Sequence, residues 1–144
     1  MRKTAIAGMT VLATAGLLHG PAAVAKDAPF SLCAIDSGGD AYDGKTVTVE
    51  AEFRGNWEYA GLSDPACPKL WVPVRFAEDQ PNTGRAFLKA WYDPAHLNMI
   101  RTYRLRFTAT VRRVDTPLNP KFPAVLHLEA DAAKVTAFRL VAEE

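Results

Sequence analysis

Two cysteines, three histidines and no apolar run of membrane-spanning length leave this sequence short of several kinds of chemistry. It contains no H-E-x-x-H, no G-x-S-x-G, no C-x-x-C and no glycine-rich phosphate loop, so the common hydrolase, metalloprotease, redox and nucleotide signatures are missing. His19 lies in the N-terminal stretch and His127 sits between Leu126 and Leu128. That leaves Asp93-Pro94-Ala95-His96 as a bare D-x-x-H, too few ligands for a metal centre. A large charge excess is lacking as well: 17 basic side chains face 16 acidic ones. The sequence predicts no enzyme activity, no metal, no cofactor and no nucleic-acid partner.

What is there begins with a leader. Met1-Arg2-Lys3, an apolar stretch from about Ala5 to Leu18 and the small residues Ala23-Val24-Ala25 have the order of a secretory signal peptide. The apolar stretch falls short of the roughly 20 residues that span a bilayer. No cysteine follows the small residues, so neither a membrane span nor a lipid anchor is predicted. Cleavage after Ala25 leaves residues 26–144 as a single exported domain, periplasmic or secreted. With Arg2 and Lys3 gone, 15 basic residues remain against 16 acidic ones, a formal charge of −1. Oligomeric state has no signature.

Cys33 and Cys67 both fall in that domain. In an oxidising compartment such a pair reads as a disulfide. Closing a loop of this length is worth roughly 3 to 4 kcal/mol by chain entropy. The alternative is a redox or metal-binding thiol pair.

Lys26 to Pro29 is a tail, and Phe30 to Ile35 predicts a helical turn or two, broken at Gly38-Gly39-Asp40. From Lys45 to Phe53 the alternation is complete: Val47, Val49, Ala51 and Phe53 share one face, Thr46, Thr48, Glu50 and Glu52 the other. A turn at Arg54-Gly55-Asn56 leads to a second strand, Trp57 to Leu62. Ser63-Asp64-Pro65 turns the chain again, and Leu70 to Phe76 repeats the alternation, with one side of the strand left free by Pro73. Glu78 to Gly84 reads as a loop and Arg85 to Tyr92 as a helix stopped by Asp93-Pro94, its apolar stripe being Phe87, Leu88 and Trp91. Tyr103 to Val111 is the longest alternating run, continued by Arg112 and Arg113. Asp115 to Pro123 is a proline-rich loop. Ala124 to Val141 closes the chain as a strand with an irregular break near Asp131-Ala132-Ala133.

The order β-β-β-α-β-β predicts a mainly β fold: a five-stranded, OB-like Greek-key barrel with one helix between the third and fourth strands and a short N-terminal helical cap. Cys33, Tyr42-Asp43-Gly44-Lys45, Val47-x-Val49, Leu62-x-Asp64 and Cys67-Pro68 together resemble a group of small exported bacterial proteins with an OB-like barrel, mostly uncharacterised. The resemblance implies a fold and a compartment. It carries over no catalytic residue.

Two sets of side chains are candidates for binding. Arg104, Arg106 and Arg112 share a face of the long strand, with Arg101 and Arg113 nearby, and form a candidate anion stripe. Pairing with Glu50 and Glu52 across the first strand would consume part of it, at about 0.2 to 1 kcal/mol per pair. The aromatic set is Trp57, Tyr59 and Trp71, on strands that form the usual ligand face of such barrels; packing is the competing use of these rings. With Arg54, Arg75 and Lys121 they complete the predicted ligand-binding set. The function this implies is that of an exported, non-enzymatic binding module of the cell envelope, its ligand a glycan fragment or a protein. The alternatives are an inhibitor or immunity-type protein that plugs an exported hydrolase with the stiff Asp115 to Pro123 loop, and, further off, an enzyme or metal carrier.

Overall fold

The structure is a computed structural model that describes residues 28–114 and 127–144. The expected leader, the expected proline-rich loop and Lys121 lie outside the described residues. The elements in chain order are α1 (Leu32–Ser37), β1 (Thr46–Gly55), β2 (Ala60–Ser63), β3 (Val74–Phe76), α2 (Asn82–Trp91), β4 (Arg101–Val114) and β5 (His127–Glu143). Single 3-10 turns at Gly39–Tyr42 and Pro94–His96 link them.

The strands form one mixed sheet in the order β2-β1-β4-β5-β3. Every neighbouring pair is antiparallel except β3 and β5, which run parallel. This corrects the predicted barrel: the sheet is open, with β2 and β3 as its two edges. Among the described residues one bridge joins β2 to the chain just ahead of β3: Leu62 and Val72 exchange N–H···O bonds of 2.8 and 2.9 Å. The reason lies between them. Pro65, Pro68 and Pro73 cannot donate, and the chain from Asp64 to Leu70 is spent on turns. Apart from that single bridge at Val72, the run read as a strand from Leu70 to Phe76 pairs only at its end, and with β5.

Alternation does place the core. Val49, Ala51 and Phe53 of β1 and Tyr103, Leu105, Phe107, Ala109 and Val111 of β4 are all buried on one face. Helix α2 covers that face. Its Phe87 and Trp91, one turn apart, meet Phe53 edge-on at centroid distances of 5.7 and 4.6 Å. Each such pair adds about 0.5 to 1.5 kcal/mol beyond area burial. The helix begins earlier than the sequence suggests, at Asn82, taking the end of the expected loop.

Helix α1 starts where Ser31 accepts the Ala34 N–H at 3.1 Å, and it buries Leu32 and Ile35. Phe30, just before it, bonds Thr48 and Glu50 of β1 where β2 no longer reaches. The disulfide Cys33–Cys67 is formed, joining α1 to the turns after β2. Asp64 sits buried beside it, accepting from Ala66 N at 2.9 Å and from Cys33 N at 3.4 Å. Cys33, Asp64 and Cys67 stand close enough to share a metal ion. Their atoms are already committed, however: the sulfurs to each other and the carboxylate to backbone amides.

The expected break in the last strand is a bulge within a continuous β5, where the ladder with β4 shifts between Thr108 and Thr110. Ala132 takes a positive φ of 50° there, and its N–H donates to Asp131 Oδ1 at 3.0 Å. Next to the bulge, Gln80 extends the short β3. Its side-chain amide donates to Ala133 O at 2.6 Å and accepts from Val135 N at 3.0 Å, as a strand peptide would.

Candidate ligand-binding site

The β1–β2 connection is tighter than predicted. Asn56 Oδ1 accepts from the N–H groups of both Glu58 and Tyr59 at 3.1 Å, and Asn56 N donates to Tyr59 O at 2.9 Å. Trp57 and Tyr59, expected on a strand, are thus turn residues. Gly55 closes the turn with φ 144°, and a Cβ there would lie 2.0 Å from Tyr59 O. Only glycine fits.

At this end of the sheet the outer face carries a small aromatic wall. Arg54 of β1 stands opposite Gly61 of β2 and Thr102 of β4. Because Gly61 has no side chain, the Trp71 indole lies directly over it, where a Cβ would come within 2.5 Å of the ring. Tyr59 stacks on Trp71 with centroids 4.9 Å apart and planes 1° from parallel. Tyr59 remains 66 % exposed. Arg54, Gly55, Asn56, Tyr59, Trp71 and Ile100 line a cleft of about 230 Å³, below the roughly 300 to 1,000 Å³ of a drug-sized pocket. One ring fits there; an engulfed oligomer does not.

Of the predicted binding residues, Arg54, Tyr59 and Trp71 are brought together. Trp57, 56 % exposed, turns away to the segment after α2, donating its indole N–H to Asn98 Oδ1 at 3.2 Å. Arg75 is remote from the cleft, beside Asp131 at 3.7 Å, an acid it shares with Arg112 at 3.5 Å. Asn56 enters the cleft from the turn read at Arg54-Gly55-Asn56, whereas Ile100 had no sequence signature.

The arginine stripe is largely spent on ion pairs. Register places Glu50 opposite Arg106 and Glu52 opposite Arg104. Arg106 reaches Glu50 at 3.0 Å, and Arg104 lies 3.6 Å from both Glu50 and Glu52. Arg113 turns to Asp36 and Asp40, tying β4 to the N-terminal turns. Arg101 is not on the stripe at all. Only 2 % exposed, it projects into the core side, donates to the carbonyls of Ala90 (2.7 Å) and Trp91 at the end of α2, and lies 5.0 Å from the Trp91 ring centre. A cation there suits the carbonyl end of a helix.

The D-x-x-H pair separates. Asp93 Oδ1 accepts from Ala95 N at 3.1 Å, opening the 3-10 turn, while His96 Nδ1 lies 3.1 Å from Glu143. On the far edge, Asp79 accepts from Lys134 Nζ at 2.6 Å, and that hydrogen bond and charge hold its carboxyl below the usual aspartate range. The inhibitor reading rests on Asp115 to Pro123, outside the described residues. No helix among the described residues is long and apolar enough to cross a membrane.

No protein-family model, no curated protein and no solved structure matches this chain.

Proposed function

We propose that this protein is an exported, non-enzymatic binding module that holds a glycan fragment by one sugar ring against the Tyr59–Trp71 wall. The observation that carries the reading is the ring stack laid over Gly61: an exposed, rigid aromatic surface beside a small cleft with polar groups at its rim. Aromatic faces take the apolar faces of flat rings at little entropy cost, because two χ angles fix each side chain. The rim supplies hydrogen bonds. Asn56 spends its oxygen on the turn, leaving its amide nitrogen to donate, and Arg54 offers further donors. Export is supported by the leader's sequence and by the closed disulfide.

The test is a titration of residues 26–144 with a panel of neutral hexoses, N-acetylhexosamines and hexuronic acids, followed by the Trp71 indole N–H resonance. A saturable shift with at least one sugar, lost in Tyr59→Ala, is expected. If every sugar in the panel leaves the Trp71 resonance in place, the reading is wrong.

A further inference from the structure

We propose that the cleft selects an acidic ring, a monosaccharide carrying a carboxylate, and that Glu144 occupies the carboxylate position until such a ligand arrives. The inference rests on the ring-binding reading above and names the class of sugar. It begins with Arg54, among the described residues the cleft's one cationic lining residue. Its neighbour Glu52 is engaged by Arg104 at 3.6 Å. Among the described residues the acid within ion-pair reach of Arg54 is Glu144, through a single contact of 3.4 Å.

That contact is loose. Both side chains are at least half exposed, at 50 % and 64 %, and one long N···O distance is far from the two-pronged geometry that guanidinium and carboxylate prefer. An exposed pair of this kind is screened and exchanges readily. Glu144 is nonetheless kept in place by its backbone, which exchanges hydrogen bonds with Ile100 at 2.9 and 3.1 Å. Ile100 itself lines the cleft. The carboxylate can therefore swing away without the strand end moving.

A hexuronic acid has the complementary pair of features. Its ring lies against Tyr59 and Trp71, and its carboxylate takes the two-pronged contact with Arg54 that Glu144 leaves unmade. A neutral hexose gains the stacking alone. Glu144 thus acts as an internal competitor specific for acidic ligands, and removing its charge should sharpen the preference.

The experiment compares glucuronate with glucose on residues 26–144, using the Trp71 indole resonance in the wild type, Glu144→Gln and Arg54→Ala, each checked for folding by its amide spectrum. Glucuronate should bind about tenfold more tightly than glucose in the wild type, as expected for one added charge-assisted contact. The glucuronate-to-glucose ratio should rise by about threefold in Glu144→Gln, the release of a weak surface pair. In Arg54→Ala the ratio should collapse towards one. Equal binding of the two sugars in the wild type, or a ratio that neither substitution moves, overturns the acidic-ring inference and leaves ring binding standing. Binding of neither sugar, nor of any other in the panel, overturns both.

Discussion

The Arg101 guanidinium donates to the Ala90 carbonyl at 2.7 Å, so a charged side chain from the first residue of β4 closes the end of α2 from within the core. Arg104, three residues on, meets only half-exposed carboxylates. Their substitutions should differ sharply. Arg101→Ala removes the guanidinium donors from the Ala90 and Trp91 carbonyls, of which Ala90 keeps only a 3.4 Å bond from Asp93 N, and is expected to cost roughly 2 to 3 kcal/mol. Arg104→Ala should cost less than about 1 kcal/mol. Urea denaturation of the two variants side by side gives the comparison, and similar midpoints would remove the capping role assigned to Arg101.

Reduction of Cys33–Cys67, whose partners are 34 positions apart, should lower stability by roughly 3 to 4 kcal/mol. Denaturation with and without a phosphine reductant measures it. Cys33→Ser should match the reduced protein rather than the oxidised one.

Gly55→Ala places a methyl group against the Tyr59 carbonyl and forces alanine to a φ of 144°. A loss of at least about 1 to 3 kcal/mol is expected from the backbone alone. Because the same turn positions Tyr59, sugar binding should weaken in the fraction that remains folded, as read from the Trp71 resonance.

Asp79 should titrate below the ordinary aspartate value, and Lys134→Met should return it towards that value. The sign follows from linkage: a carboxyl lowered in the folded state adds stability above its unfolded pKa, and the gain fades as pH falls through the folded one. Carboxyl-carbon NMR of the two proteins across the acid range checks the direction. An unchanged midpoint in Lys134→Met would deny the pairing. The group is fully exposed, so little change in overall stability should accompany it.

Periodicity made β1 and β4 legible, because a strict two-residue alternation states which face is buried. It says nothing of which strand lies alongside, and there the reading of the barrel failed: β3 found β5, and the prolines before it kept it from β2. Arg101 was open to a better reading. It shares parity with Tyr103 and Leu105, and only its charge argued for the outside. The fates of Arg104 and Arg106 depended on register, visible only once Glu50 and Glu52 stood opposite them. As for the cleft, its rings were recognisable as candidates, but that Gly61 makes room for Trp71, and that Ile100 comes in from beyond α2, is decided only by folding.

Gln80 holds two strand positions with a side chain, and this fixes a length. From Phe76, where the β3 ladder ends, to Gln80 the chain has only Ala77, Glu78 and Asp79 in which to place an amide against both Ala133 and Val135. A residue added or removed there would carry the amide off its two partners and shift the start of α2 with it. This short connection is therefore a spacer of set measure, a stretch of surface loop poorly able to accept insertions when the protein is recombined or used as a scaffold.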